Sequence, residues 1–249
     1  MRIQLIVSYL GPAFTGWQSQ KGGCAVQDII ELALKKICHV PVRLHGASRT
    51  DAGVHALGQS AHFDEPIGVS LSEREWVAAL NCNLPLTVRI LSARHRPLSF
   101  HSRFSSTGKR YRYEINREPV LTPFLHQRVW HCPGRLDPEL LRHAMAPFVG
   151  THDFRSFTAR RMRPEQSTIR KIEKVCVQIT EIKIVIKVEG DGFLYKMIRM
   201  MVGAAVRVAT GKAPPTQLEL LLKEPEFGRA QFVAPAGGLY LLRVFYRKR

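Results

Sequence analysis

Residues 42–64 read VRLHGASRTDAGVHALGQSAHFD. Two strand-like segments, 42–48 and 58–64, flank a turn-rich stretch from Ser48 to Ala56. Asp51 followed by Ala52-Gly53 is a common turn arrangement, because glycine supplies a backbone conformation that other residues resist. Upstream, Ile3, Leu5, Val7 and Tyr9 alternate with Gln4 and Ser8, the period of a half-buried strand. Between them, residues 25–38 place Val26, Ile29, Ile30, Ala33, Leu34 and Ile37 on one helical stripe. Downstream, a helix is expected at 72–82 with Ser72 as its N-cap, then a strand at 86–94. The order βαββαβ predicts a ferredoxin-like antiparallel layer, an α+β fold.

The rest of the chain repeats that grammar with variations. Residues 109–115 alternate Arg110, Arg112 and Glu114 against Tyr111, Tyr113 and Ile115. Asp137-Pro138 is a cap and first-turn pair for a helix at 137–147. Strands are expected at 172–179 and 182–188, the second with Ile182, Ile184, Ile186 and Val188 on one face. Helices near 195–209 and 215–223 and an apolar strand at 239–246 close the chain. Residues 151–171 are basic and lack a period, so they read as a loop. The expected organisation is an N-terminal α+β half, 1–100, and a C-terminal half, 101–249, with a seam near 97–108.

Charge narrows the partner. The chain of 249 residues has 37 Lys+Arg against 20 Asp+Glu, a net +17. Residues 1–100 contribute 10 basic and 7 acidic side chains, and residues 101–249 contribute 27 and 13, so the excess is concentrated in the second half. Such a balance favours a polyanion, since phosphate contacts release counterions. Arginine outnumbers lysine 25 to 12, and its guanidinium grips phosphate bidentately and stacks on bases. A merely basic soluble protein, or one that meets anionic lipid, is the plainer alternative. Five cysteines without a CxxC pair fit reduced thiols and a cytoplasmic protein. The ten histidines show no HExxH and no Cys/His cluster, so no metal site is expected. No run reaches the roughly 18 apolar residues of a membrane helix, so no membrane association is expected.

Read blindly, Asp51 is a turn residue. Arg49, two positions away, adds a second reading, because a carboxylate beside a guanidinium stays ionised, as a nucleophile must. Tyr111 on its alternating strand reads as a core tyrosine, and Arg199 as a cation on a helix face.

These residues stand in motifs that resemble the bacterial tRNA pseudouridine synthase A family. The stretch SRTDAGVHA is similar to its GRTDAGVHA signature, and the likeness runs on through Gly58, Gln59, His62 and Phe63. Tyr9, Gly11, Phe14, Gly16, Trp17, Gln18 and Gln20 match Y.G..F.GWQ.Q. Asn81, Leu84 and Pro85 match N..LP, Phe100 to Ser105 match FHARFSA, and Lys109 to Tyr113 match KRYRY. Gly150, His152, Asp153, Phe154 and Phe157 match G.HDF..F. Gly192-Phe193, Met197-Ile198-Arg199 and Val202-Gly203 match GF...MVR..VG, and Ala236 with Gly238 to Leu241 match A..GLYL. The chain departs from the pattern at Ser48, where Gly is frequent, at Lys196, where Asn or His is common, and in the short turn at Gly22-Gly23.

The resemblance implies the pseudouridine synthase fold: two ferredoxin-like halves sharing a continuous, mostly antiparallel sheet, with helices on it and a cleft between the halves. It implies isomerisation of uridine to pseudouridine at positions 38, 39 and 40 of the tRNA anticodon stem-loop, by a cytoplasmic homodimer without a cofactor. Asp51 maps onto the nucleophile, attacking either C1′ of the ribose or C6 of the base. Arg49 and Arg199 map onto arginines near it, Arg49 also helping to push the base out of its stack. Tyr111 maps onto the active-site tyrosine that stacks on the flipped uracil. Leu239 and Leu241 are expected to wall the pocket. Phosphates are expected on Arg103, Lys109, Arg110 and Arg112, and on Arg155, Arg160, Arg161 and Arg163. The competing readings are a catalytically silent RNA-binding protein or tRNA-folding chaperone of the same fold, and an RNA hydrolase, for which no carboxylate cluster or His pair is found.

Overall fold

The computed structural model describes residues 1–159 and 167–247. In chain order the elements are β1 (Arg2–Tyr9), α1 (Val26–Cys38), β2 (His45–Gly46), β3 (His55–Asp64), α2 (Glu73–Asn83) and β4 (Val88–Arg96). Then come β5 (Ser106–Asn116), β6 (Trp130–His131), α3 (Pro138–Met145), β7 (Gly150–Asp153), β8 (Ile169–Ile179) and β9 (Lys183–Gly190). Last are α4 (Met197–Ala209), α5 (Gln217–Lys223) and β10 (Leu239–Tyr246). They form two compact units, Met1–Lys109 with Tyr240–Arg249, and Arg110–Leu239. Both are α+β.

In the first unit the strand order is β4-β1-β3-β10, with β2 on β3. The neighbours of β1 are antiparallel to it, while β10 runs parallel to β3 with Tyr240 opposite His55. The elements up to β4 therefore follow the expected βαββαβ course. Ile3, Leu5 and Val7 are fully buried, as their alternation requires. Ser72 caps α2 by a reciprocal box: its hydroxyl accepts from Glu75 N and its own N–H donates to the Glu75 carboxylate. The expected strand 42–48 shrinks to His45–Gly46, paired with His62 and Ala61. Beyond it Ala47 N–H still donates to Ser60 O, and Ser48 is held by the Gln59 side chain.

The second unit has the order β5-β9-β8-β7, with β6 parallel to β5. Asp137 caps α3 by accepting from Glu139 N and Leu140 N. Helix α4 is buried almost all round, as an apolar helix must be. The reading of 151–171 as one loop is corrected: Gly150–Asp153 pairs antiparallel with the start of β8 at Ile169. A four-residue strand, Gly-Thr-His-Asp, is too short and too polar to show a period. Ile182 is also corrected, since it is exposed at the turn before β9 while Ile184, Ile186 and Val188 are buried. Arg160, Arg161 and Arg163 lie outside the described residues.

Candidate active-site elements and family

In the first unit Asp51 occupies the connection between β2 and β3. Val54 N–H donates to Asp51 O at 3.1 Å, closing a four-residue turn. Gly53, third in it, has φ +78°, which a type II turn demands and glycine meets without strain. The approach to the turn is clamped by Gln59, fully buried: its amide accepts from Ser48 N at 3.3 Å and donates to Ser48 O at 2.6 Å. Thr50 is fixed twice, its hydroxyl 2.7 Å from Tyr9 OH and its carbonyl accepting from Trp17 N at 3.1 Å.

The segment after β1 is shaped to this turn. A Cβ on Gly16, at φ +104°, would lie 2.6 Å from Thr50 O and 3.2 Å from Ala52 N. One on Gly11 would lie 2.4 Å from Val54 O. The Trp17 indole takes the space a Cβ on Gly46 would fill, at 2.2 Å. Gly11 N–H also donates to His55 Nδ1 at 3.3 Å, and the His55 ring stacks on Tyr240 at 4.5 Å. The motif Y.G..F.GW is thus the cradle of the Asp51 turn. Asp51 itself is half-buried.

Arg49, also in this unit, is exposed. Arg103 is exposed too, on the turn before β5, with its guanidinium 5.6 Å from the Phe104 ring centre. Lys109, at the end of the unit, is half-buried.

In the second unit β5 places Tyr111 and Tyr113 on its buried face. Tyr111 meets Phe193 edge-to-face at 5.0 Å. Tyr113 is the core tyrosine: its hydroxyl donates to Pro235 O at 2.7 Å, and Gly238 lies against its ring, where a Cβ would come within 2.6 Å. Burial raises the Tyr113 phenol well above its usual value, with the charge of Arg199 pulling it back. Arg199 donates through Nε to Ala234 O at 2.7 Å, and Ala234 N–H returns a bond to Arg199 O at 3.0 Å. Gly203, one turn on, lets Phe232 O approach to where a Cβ would be 2.5 Å away. Strand β5, the start of α4 and residues 232–238 therefore form one scaffold under Tyr111 and Arg199. Leu239 and Leu241 are buried.

Three of the basic residues expected on phosphate already have carboxylate partners. Arg110 pairs with Glu189 at 2.6 Å, Arg112 with Glu114 at 2.8 Å, and Arg155 with Asp153 at 2.9 Å. Glu114 is buried and also holds Lys183 at 2.6 Å. The motif G.HDF..F builds core, since Phe154 and Phe157 are fully buried against Phe148. Among the described residues no group of three or more His, Cys, Asp or Glu is arranged to hold a metal ion. No helix among them is long and apolar enough to cross a membrane.

Comparison with known proteins gives the family. A family model described as tRNA pseudouridine synthase matches residues 5–105 and 144–247. A protein of Akkermansia muciniphila named tRNA pseudouridine synthase A is 44% identical, over 98% of this chain and 95% of its own length. One of the same name from Bacillus pumilus is 39% identical over 99% of each. Among solved structures, a chain of a Cbf5-Nop10-Gar1 complex gives a TM-score of 0.39 at 12% identity, covering 82% of this chain and 45% of that one. The chain belongs to the tRNA pseudouridine synthase family.

Proposed function

We propose that the chain isomerises uridine to pseudouridine at positions 38, 39 and 40 of the tRNA anticodon stem-loop, with Asp51 as nucleophile. The observation that carries this reading is the Asp51 turn, which Gly11, Gly16, Trp17 and Tyr9 contact or bond within a chain of this family. Such restraint suits a group that must meet a reacting carbon in one geometry.

The reaction breaks the N1–C1′ bond, turns the uracil, and joins C5 to C1′. C5 loses a proton and N1 gains one. Atoms and electrons balance, so the chemistry calls for no redox cofactor, metal or nucleotide. Asp51 attacks C1′ or C6. The Tyr111 ring supports the flipped base and its hydroxyl takes part in moving the C5 proton. Arg199 and Arg49 favour the ionised nucleophile, and Arg49 and Arg103 hold the extruded RNA. In this reading 1–100 is the half that carries the nucleophile and 101–249 the basic half that completes the machinery. It works in the cytoplasm as a homodimer.

The test is incubation with unmodified tRNA followed by mapping of pseudouridine by site. Product at 38, 39 or 40 with wild type, and none with Asp51→Asn despite retained tRNA binding, is expected. Product elsewhere only, or Asp51→Asn activity within about tenfold of wild type, would overturn the site or the nucleophile, since losing a true nucleophile costs far more.

A further inference from the structure

The turn before β5 presents an aromatic ring to solvent on a base that does not yield. Phe104 is 77% exposed, although the turn that carries it is closed by hydrogen bonds and its neighbour Ser102 is buried. Ser105 N–H donates to His101 O at 2.9 Å, and His101 N–H donates back to the Ser105 hydroxyl at 3.0 Å. Inside the turn, Nδ1 of His101 accepts from Arg103 N at 3.1 Å and from Phe104 N at 3.3 Å. Ser102 is wholly buried: its hydroxyl donates to His45 O at 2.6 Å, its N–H to His62 Nδ1 at 3.1 Å, and its carbonyl accepts from Tyr246 OH at 2.7 Å.

Two further groups extend the surface. The His101 ring lies 4.4 Å from the Phe104 ring, and the Arg103 guanidinium lies over the other's π-face at 5.6 Å. Burial and the nearby charges of His45, Arg2 and Arg103 keep His101 below its usual pKa, which matches its role as an acceptor.

Exposure alone does not set Phe104 apart, since Phe124 is as exposed; what does is its place on a hydrogen-bonded turn beside the His101 ring and the Arg103 guanidinium. Here the backbone bonds hold Phe104 outward. Every base has a π-face, and aromatic side chains beside arginine are the sequence-tolerant way to bind unpaired nucleotides. The Arg103 guanidinium beside the ring, in a chain of net +17, favours a polyanion at this turn.

We infer that Phe104, with His101 and Arg103, is a stacking platform for an unpaired nucleobase of the bound RNA, Arg103 holding the adjacent phosphate. The inference rests on the reading of the chain as a tRNA enzyme and adds a contact remote in sequence from Asp51.

The experiment compares wild type, Phe104→Ala and Phe104→Trp for affinity to unmodified tRNA, to a short single-stranded oligouridine and to a blunt RNA duplex. Phe104→Ala is expected to weaken the first two by about 5- to 100-fold, the range for loss of one stacked base, and the duplex less than about twofold. Phe104→Trp is expected to keep the affinity and to show fluorescence quenched by either unpaired RNA. Wild-type affinity for both in Phe104→Ala overturns the platform. So does a Trp signal deaf to RNA, or a variant whose only change is smaller sedimenting size, which would assign the ring to a second copy. Pseudouridine formation by wild type is followed on the same tRNA. Its absence alongside the expected Phe104 effect sinks the catalytic reading alone; its presence with an unaltered Phe104→Ala sinks the platform alone.

Discussion

Gly16 lies against the backbone of Thr50 so closely that a Cβ on it would sit 2.6 Å from the Thr50 carbonyl oxygen, one residue before Asp51. The contact explains why a glycine after β1 and an aspartate some thirty-five positions later belong to one device. Gly16→Ala must both leave φ +104° and push the turn away. The expected cost is about 1–3 kcal/mol of stability. Displacing Asp51, the proposed nucleophile, by about an ångström is expected to lower turnover on the order of 100-fold. Gly22→Ala is the control, since Gly22 has φ +112° but nothing within 4 Å of the added carbon. It carries the conformational strain without the collision. Thermal melts and single-turnover rates of both variants check the argument; equal rates for the two would mean that the contact does not position Asp51.

Tyr111→Phe separates ring from hydroxyl. The edge-to-face contact with Phe193 depends on the ring, so fold and RNA affinity should stay close to wild type. Removal of a group that moves a proton typically costs about 10²- to 10⁴-fold in rate. Release of tritium from C5-labelled uridine in tRNA measures the step. A rate equal to wild type would leave the tyrosine as a stacking surface only.

Lys196 stands in the left-handed region at φ +60°, as the residue that opens α4. An L-residue with a long side chain pays about 1–2 kcal/mol there, whereas Asn tolerates it. Lys196→Asn loses the contact of the ammonium with the Tyr195 ring, 5.1 Å away, about 0.5–1 kcal/mol at an exposed site. The net expectation is a gain of about 0.5 kcal/mol and a melting point higher by roughly 1–2 °C. A lower melting point would show that Lys196 makes an interaction worth more than the strain.

What was legible follows from range. The βαββαβ order was readable because alternation and caps are local: Ile3, Leu5 and Val7 in β1, Ser72 with Glu75 at α2, Asp137 at α3. Asp51 stood out through its motif, yet nothing local says that Gly11, Gly16 and Trp17 hold its turn, since those contacts join segments far apart in sequence. Strand β7 was missed because Gly-Thr-His-Asp has no apolar alternation. The arginine-based phosphate grip was readable only as charge. Sequence could not show that Arg110 already faces Glu189, because pairing across strands depends on register, whereas Arg112 and Glu114, two positions apart on β5, share the face that the alternation gives them.

The last expectation concerns pH. His62 is buried on β3, with His45 and His101 at ring distances of 5.0 and 4.6 Å, Phe100 edge-on, and the Ser102 amide donating to its Nδ1. Burial first, then the charges of Arg2, His101 and His45, against the weaker pull of Asp64, push its pKa down from 6.5 to about 4. Above pH 6.5 neither folded nor unfolded chains bind this proton. As pH falls from 6.5 towards about 4 the unfolded chain takes it up and the folded chain does not, so stability declines across that window and levels off below it. The loss for this one group over the whole window is on the order of 3 kcal/mol. His101 shifts in the same direction and adds to the decline. His62→Gln removes the titration, so its stability should fall less steeply over the same range, even if its absolute value at pH 7.5 is lower. Urea unfolding at intervals from pH 4.5 to 7.5 on both proteins reads the two slopes. Parallel curves would place the acid sensitivity elsewhere and deny His62 the depressed pKa that its burial beneath His101 and Phe100 requires.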